Sequence, residues 1–529
     1  MAVTLHKQAN CGFVMLNSPP VNAINQKMRE DLIDAVTWAE SEGLERVILS
    51  GMGRSFAAGA DTKEFDQPAI SPHLPDVVNR IETSTVPWIA AIHGTALGGG
   101  GELALGCRYR IARADATIGF PEVILGLVPG AGATQRLPRL VGLAEALKLI
   151  PTGKTISGKA AMAIGLVNAI DDDPVAAAKL IDQKILSEAV PLSLMKAGTD
   201  KTVNYDTARQ LAIRRMRGQE APLTAISLLE TAQTATFDDG MQKERNAFLA
   251  LRASPQARAL RHIFFAERAA KKPPKAIETQ KSTLKPLNHV IVIGGGTMGS
   301  GIAYAFLNAN IRVTILESDD AGMQRANTAI DTIISASLAS GHIDPQAATD
   351  RRNLLKVMMI QPDSDAGKRR NDDLTNVDLV IEAVFEDLAI KKEILQAIEP
   401  ALDPNAIIAT NTSYLDVNKL AACLDNPSRF VGLHFFAPAH IMKLLEIVKG
   451  SETSPVALSM AYAVAKSLGK IPVVAGVCDG FIGNRILAAL REAADATLMD
   501  GSTPAEIDRA MVAFGYAMGP YETQDLSGL

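Results

Sequence analysis

The sequence has few aromatic residues, few cysteines and no long apolar run. Aromatic residues make up 5% of the 529 residues, which argues against a base-stacking surface for nucleic acid. The four cysteines lie far apart without a C-x-x-C pair, so neither a disulfide framework nor a zinc site is indicated. The net charge of −5 provides no basic field for nucleic acid or an anionic membrane. We predict a cytoplasmic protein, or a peroxisomal one in a eukaryote, with no metal site.

The N-terminus lacks a signal-peptide pattern, and no apolar stretch reaches the roughly 18 residues that a membrane span needs. The length predicts roughly three or four domains. Strand, helix and glycine-rich turn patterns alternate up to about Ile170, and a helical composition runs from Pro174 to Ala270. Residues 271–275 and 279–286 are charged and contain proline, which indicates a linker. The α/β pattern resumes at His289.

We predict four segments: an α/β domain over 1–190, a helical connector with the linker over 191–285, a second α/β domain over 286–478 and part of a helical domain over 479–529. The chain ends without a polar tail or a helix stop signal, so we expect a missing C-terminal portion.

A dinucleotide site is predicted where the α/β pattern resumes. A buried strand, 289–293, runs into a G-x-G-x-x-G motif formed by Gly294, Gly296 and Gly299, which opens a helix over 300–308. Glu317 follows the next strand, where a carboxylate accepts hydrogen bonds from ribose hydroxyls and repels a 2′-phosphate. The motif therefore predicts NAD rather than NADP. The alternative is a tight turn with a solvent-facing glutamate.

In the first half, two loops of small residues each follow a strand and can aim backbone N–H groups at a ligand oxygen. One contains Ala60, and the other opens a helix at Gly99. Glu102 lies about one turn beyond Gly99, and Glu122 follows a proline in a separate loop. Paired carboxylates suit water addition, because one deprotonates water while the other exchanges a proton at Cα. From the residues alone, surface or capping roles for both glutamates remain open.

Three motifs in this half together resemble the crotonase, or enoyl-CoA hydratase/isomerase, superfamily: Phe56-Ala-Ala-Gly-Ala-Asp61, Gly98-Gly-Gly-Gly-Glu102 and the run from Pro121 to Gly132. The resemblance implies a spiral ββα fold with an oxyanion hole formed by the N–H groups of Ala60 and Gly99. It also implies that Glu102 and Glu122 carry the hydration. The helical segment, with Asn246-Ala-Phe248, resembles the connector of multifunctional β-oxidation enzymes.

In the second half, one strand-like run precedes Glu386 and Lys391, and another, 406–413, precedes a polar loop. His434 lies in one apolar run and Glu446 in the next, and a histidine with a buried carboxylate can abstract an alcohol proton. A satisfied core histidine is the alternative, because sequence cannot show the pairing.

The second half, from about Asn288 onward, resembles the L-3-hydroxyacyl-CoA dehydrogenases. The similarity rests on the glycine motif with Met298, on Asn411-Thr-Ser413, on Leu433-His-Phe-Phe436 and on Gly480-Phe-Ile-Gly-Asn484. It implies that His434 is the base and Glu446 its carboxylate partner. It further implies substrate contacts from Ser413 and Asn484, cofactor contacts from Glu386 and Lys391, and a C-terminal helical domain that begins near residue 479.

Together the halves predict a fatty-acid β-oxidation enzyme that hydrates 2-enoyl-CoA and oxidises the 3-hydroxyacyl-CoA with NAD, with Δ3,Δ2-enoyl-CoA isomerase activity. The predicted partners are acyl-CoA substrates and a thiolase. One alternative is a hydratase/isomerase whose second half binds NAD without turnover. Another is a non-catalytic module that binds acyl-CoA and NAD.

Overall fold

The structure is a computed structural model that describes residues 2–198, 203–278, 286–360 and 376–527. The chain divides into two compact units between Phe264 and Phe265.

The first unit contains a six-stranded sheet of order β1-β2-β3-β4-β6-β9 and a three-stranded sheet of order β5-β7-β8. The strands are β1 Val3–Gln8, β2 Cys11–Leu16, β3 Arg46–Gly51, β4 Trp88–Ile92, β5 Thr95–Leu97, β6 Tyr109–Ala112, β7 Thr117–Gly119, β8 Thr155–Ser157 and β9 Ala169–Ile170. The large sheet is parallel from β2 to β9, and β1 pairs with β2 antiparallel. All five residues of β4 are buried, as expected for a parallel strand covered on both faces.

Helices of the first unit pack around these sheets. The α-helices before residue 190 are Gln26–Ser41, Leu74–Glu82, Gly99–Gly106, Ala133–Val141, Leu143–Leu149, Gly158–Ala163, Pro174–Lys179 and Gln183–Glu188. Short 3₁₀ helices are Thr62–Glu64, Pro121–Leu125 and Leu192–Leu194. Helices Tyr205–Arg215, Glu220–Thr234, Phe237–Ala253 and Pro255–Ala270 follow. The described part of the segment from Pro174 to Ala270 is therefore helical, as predicted.

The second unit contains an eight-stranded sheet of order β12-β11-β10-β13-β14-β15-β16-β17. Its strands are β10 His289–Ile293, β11 Arg312–Glu317, β12 Leu355–Met359, β13 Leu379–Glu382, β14 Ile407–Thr410, β15 Phe430–Phe435, β16 Leu444–Lys449 and β17 Ile471–Gly476. The sheet is parallel from β12 to β15, and β16 runs antiparallel to β15. Because the strand order reverses around β10, a ligand crevice lies at the carboxyl ends of the central strands.

The α-helices of the second unit are Lys275–Glu278, Thr297–Asn308, Asp320–Ala339, Pro345–Asn353, Leu388–Ile398, Val417–Ala421, Pro455–Ser467, Gly483–Met499, Pro504–Phe514 and Pro520–Ser527, with 3₁₀ helices Glu399–Ala401 and Pro427–Arg429. No helix in the described ranges is both long and apolar enough to cross a membrane. Among the same residues, no group of three acidic, histidine or cysteine side chains could hold a metal ion.

The α/β prediction is confirmed, with three local corrections. The helix after the glycine motif begins at Thr297 rather than Ser300, so Gly299 lies inside its first turn. The strand before the polar loop ends at Thr410 rather than Ser413. Glu122 lies in a 3₁₀ helix rather than a loop, because Pro121 supplies the fixed φ that suits a first helical position. Most of the predicted linker at 279–286 lies outside the described residues.

Candidate active sites

Glu102 is a buried carboxylate in the first turn of the helix Gly99–Gly106. Its side chain is 2% exposed and accepts hydrogen bonds from the N–H groups of Ala131, at 2.7 Å, and Ala133, at 3.1 Å. Burial raises the pKa of Glu102 to about 6, against the opposing effect of these two hydrogen bonds and of the Arg136 charge. Glu102 can therefore exchange a proton near neutral pH.

Glu122 lies against the backbone of Gly98, one residue before the helix that carries Glu102. Gly98 has φ +51°, and a Cβ at this position would lie 2.8 Å from Oε1 of Glu122. The Oε2 atom is buried and has no hydrogen-bond partner among the described residues. Burial, and next the charge of Glu102, raise the pKa of Glu122 well above its usual value. An unpartnered, buried carboxyl oxygen therefore lies beside the glycine loop.

The N–H groups of Ala60 and Gly99 are two donors without acceptors in the described part of the chain. They lie close together, since a Cβ on Gly99 would be 3.4 Å from the Ala60 nitrogen. Gly99 is the first residue of its helix, where the helix dipole adds partial positive charge. The pair can hold an oxygen that gains negative charge.

Ala60 and Asp61 are among the residues that line a cavity of about 280 Å³. It is lined by apolar side chains that include Phe65, Leu74 and Phe248, and by arginines that include Arg245. A cavity of this kind accommodates a ligand with apolar and anionic parts.

A third buried carboxylate, Glu244, belongs to the helix Phe237–Ala253 and is 1% exposed. Burial, and next the charge of Glu102, raise the pKa of Glu244 to about 8, although hydrogen bonds from Thr134 and Gly132 oppose the rise. Glu244 is not among the site residues predicted from the sequence, because a single acidic residue on an amphipathic helix predicts a solvated position.

In the second unit, His434 and Glu446 are directly opposite each other on the antiparallel strands β15 and β16. The Nδ1 atom of His434 lies 2.6 Å from Oε2 of Glu446, and both residues are buried. The Oε1 atom of Glu446 accepts from the N–H groups of Ile482, at 3.1 Å, and Gly483, at 2.7 Å. Burial alone would raise the pKa of Glu446, but the hydrogen bonds from His434 and Gly483 and the charge of His434 lower it. This carboxylate therefore stays ionised beside the imidazole.

The other ring nitrogen of His434, Nε2, lies 3.3 Å from Oγ of Ser413. Ser413 is held by Glu386, which accepts from the Ser413 N–H at 2.8 Å and from the Thr412 hydroxyl at 2.5 Å. Asn484 is the second residue of the helix Gly483–Met499. No hydrogen bond joins its side chain to Ser413 or His434 in the part of the chain that the structure describes.

The glycine motif forms a close turn between β10 and its helix. A Cβ on Gly299 would lie 1.8 Å from the Gly294 carbonyl oxygen, so only glycine fits there. Met298, in the same helical turn, packs against the apolar core. Glu317, at the end of β11, accepts a hydrogen bond from the N–H of Gly295. The turn and the carboxylate therefore meet at the crevice, as a dinucleotide site requires.

Lys391 lies in a buried ion pair that the sequence gives no signal for, and its predicted cofactor contact stays a prediction. It is 1% exposed, and its Nζ contacts Oε1 of Glu382 at 2.7 Å and the Val384 carbonyl at 3.2 Å. Its Nζ also lies 3.3 Å from Glu386. The ammonium group is thus paired with protein carboxylates at the end of β13.

The comparisons with known proteins cover both units. Residues 6–243 match the family model for enoyl-CoA hydratase/isomerase. Residues 289–478 match the NAD binding domain of 3-hydroxyacyl-CoA dehydrogenase, and 480–529 match its C-terminal domain. The peroxisomal bifunctional enzyme of Cavia porcellus is 37% identical over 543 residues, which cover all of this chain and 73% of that protein. The chain belongs to the multifunctional fatty-acid β-oxidation enzymes.

Two further relatives of this multifunctional enzyme come from distant organisms. The peroxisomal bifunctional enzyme of Homo sapiens is 37% identical, over 98% of this chain and 71% of that protein. The fatty acid oxidation complex subunit alpha of Shewanella baltica is 33% identical, over 95% of this chain and 72% of that protein. The predicted family, the crotonase-like and dinucleotide-binding folds and the NAD cofactor are thereby confirmed. The domain boundaries stay predictions.

Proposed function

We propose that Glu102, Glu122 and the N–H groups of Ala60 and Gly99 hydrate a 2-enoyl-CoA thioester, and that His434 with Glu446 carries the oxidation of the 3-hydroxyacyl-CoA product. The observation that carries the hydratase assignment is the unpartnered Oε2 atom of Glu122 beside the glycine loop. A buried carboxyl oxygen without a partner is costly unless a ligand uses it.

The two carboxyl groups have different electrostatic surroundings. Burial raises the pKa of Glu102 to about 6, so this group is mostly ionised at neutral pH, whereas burial and the charge of Glu102 raise the pKa of Glu122 well above its usual value and favour its protonated form. Glu102 then removes a proton from water, whose oxygen attacks C3 of the enoyl group. Glu122 delivers its proton to Cα, and the N–H groups of Ala60 and Gly99 stabilise the thioester oxygen while it carries enolate charge.

The same geometry supports Δ3,Δ2-enoyl-CoA isomerisation, which moves a double bond without adding water. Only one group has to remove and return a proton in that reaction. Glu122 is our candidate, since its carboxyl group lies against Gly98, the residue before the Gly99 N–H that we assign to the thioester oxygen.

In the second unit, His434 accepts the proton of the substrate hydroxyl at Nε2, and the adjacent Ser413 hydroxyl orients the substrate oxygen. Glu446 stabilises the imidazolium through Nδ1. We assign Asn484 to the same substrate oxygen. The residues present fit NAD, because a Cβ at Gly296 would meet nothing within 4 Å, which leaves the backbone open to a pyrophosphate, and Glu317 lies where ribose hydroxyls are bound. When bound, NAD supplies the acceptor for the hydride from C3.

We also propose that the 3-ketoacyl-CoA product is passed to a thiolase. A cytoplasmic or peroxisomal location stays a prediction, although the two first relatives are named peroxisomal.

The proposed function can be tested by incubating the chain with a 2-enoyl-CoA, with and without NAD⁺. We expect the enoyl absorbance to fall in both reactions and NADH to appear only with NAD⁺. Loss of enoyl absorbance without NADH would support a hydratase/isomerase whose second half binds NAD without turnover. Absence of both signals would contradict both catalytic assignments.

A further inference from the structure

Glu244 has no part in the proton transfers above, yet it is almost completely buried within the hydratase unit. It lies one residue beyond the segment, 6–243, that matches the hydratase/isomerase family model. The helix that carries it, Phe237–Ala253, comes after the sheets and the glycine loops. Its carboxylate therefore needs an explanation of its own.

The hydrogen bonds of Glu244 alternate with those of Glu102 along one turn of backbone. Glu102 accepts from the N–H groups of Ala131 and Ala133. Glu244 accepts from the N–H group of Gly132, at 2.6 Å, which lies between those two residues, and from that of Thr134, at 2.9 Å, which follows them. The Thr134 hydroxyl adds a third hydrogen bond to Glu244 at 2.6 Å.

This turn, residues 131–134, begins the helix Ala133–Val141. The first N–H groups of a helix have no acceptor within the helix, and they attract negative charge. Two carboxyl groups from different helices accept hydrogen bonds from them here. If one carboxyl group is replaced, the N–H groups that it held lose their acceptors, and the turn is free to rotate away from the other.

We propose that Glu244 is a positioning residue for hydration, which holds the turn 131–134 so that its N–H groups fix the carboxylate of Glu102. The inference rests on the proposed role of Glu102. It assigns to the helical connector a contribution to the hydratase site, since Glu244 touches the turn and not the Ala60 and Gly99 donors.

The test uses the full chain and steady-state hydration of a 2-enoyl-CoA. Glu244→Gln keeps the size of the side chain but places an NH₂ group against a backbone N–H donor. We expect kcat to fall by roughly 10–100-fold, the usual range for residues that orient a catalytic group. KM should change by less than about threefold, because the thioester donors are untouched.

Three further variants separate positioning from general damage. Asp238→Asn, on an exposed position of the same helix, should leave hydration unchanged. Thr134→Val removes the hydroxyl that donates to Glu244 and accepts from the Gln135 amide, but it leaves both backbone N–H donors, so kcat should fall less than in Glu244→Gln. In the double variant Glu102→Gln/Glu244→Gln, the second change should cost less than about threefold beyond Glu102→Gln alone, since Glu244 acts through Glu102.

A normal kcat in Glu244→Gln would overturn the inference. So would a double variant whose fold-loss in kcat equals the product of the two single fold-losses. If Glu244→Gln lowers the unfolding temperature and the oxidation rate as well, Thr134→Val decides: an unchanged kcat there overturns the inference. A loss in Glu102→Gln without a loss in Glu244→Gln rejects only the role of Glu244. Normal hydration by Glu102→Gln would reject the proposed function of Glu102 and this inference together.

Discussion

The two candidate sites bury carboxylates in opposite electrostatic settings. In the second unit, Glu446 accepts hydrogen bonds from two backbone N–H groups and faces His434, and its pKa is lowered despite burial. In the first unit, Glu102, Glu122 and Glu244 repel one another, and burial raises the pKa of each. The arrangement in the second unit suits the imidazolium of His434 that we expect to form during oxidation. The arrangement in the first unit favours the protonated form of Glu122, whose proton we expect to be given to Cα.

The largest effects are expected from neutralising the carboxylates of the first unit. Glu102→Gln and Glu122→Gln should each lower kcat for hydration by roughly 10²–10⁴, because each removes one of two proton transfers. Isomerisation needs only the Glu122 carboxyl, so it should survive Glu102→Gln better than hydration does. Rates for a 2-enoyl-CoA and a 3-enoyl-CoA measure the two activities.

Glu188→Gln is a matched control at an exposed glutamate of the same unit, and it should leave both activities intact. NADH binding should be unchanged in all three variants. Near-normal hydration by Glu102→Gln or Glu122→Gln would reject the carboxylate assignment.

A comparable loss is expected in the second unit from His434→Ala, which should reduce oxidation of a 3-hydroxyacyl-CoA by roughly 10²–10⁴. Glu446→Gln should reduce it by at least about tenfold, because the imidazolium loses its counter-charge. Hydration should be unaffected by either substitution. His440→Ala is the matched control, since the ring of His440 packs against Tyr304 and not against the pair. Equal losses in His440→Ala and His434→Ala would show that the assay reports packing rather than proton transfer.

Sequence patterns predicted the dinucleotide turn because all of its parts are local. The strand, the glycines, the helix and Glu317 lie within 289–317, and each has a backbone or packing reason to be there. Only the helix start was misplaced, since a glycine inside a first turn weakens a helix pattern.

Contacts between distant segments could not be predicted in the same way. The pairing of His434 with Glu446 depends on the register of β15 and β16, which sequence does not fix. Glu244 reaches Gly132 across 112 residues, and its pattern on the helix is that of an ordinary acidic position. The ion pair of Lys391 with Glu382 was missed because buried lysines are rare and no local signal marks them.

The contrast in pKa predicts a difference in pH response. Hydration requires ionised Glu102, so kcat/KM should rise with pH up to about 6 and fall roughly tenfold per unit below it. Glu446 should stay ionised over this range, because its folded pKa lies below the usual value. Its contribution to stability is therefore present at neutral pH and is lost only as the pH falls through that lowered pKa. A flat hydration profile between about pH 5 and pH 7 would contradict the assignment of Glu102.

The smallest expected effect concerns cofactor choice at Glu317, where the second unit uses a carboxylate for selection rather than for proton transfer. Glu317 lies at the end of β11 and accepts a hydrogen bond from Gly295, so its charge faces the ribose end of a bound dinucleotide. A 2′-phosphate would meet this carboxylate at short range, whereas a 2′-hydroxyl can donate to it. NADH should therefore bind at least about tenfold more tightly than NADPH, a difference of about 1.4 kcal/mol.

Glu317→Gln should reduce this difference in affinity between NADH and NADPH, because the amide can still accept from Gly295 but carries no charge. Titration of both nucleotides by fluorescence measures the ratio, with Glu393→Gln, at an exposed position of the helix Leu388–Ile398, as the control. Equal or tighter NADPH binding by the unsubstituted chain would show that Glu317 does not select the cofactor.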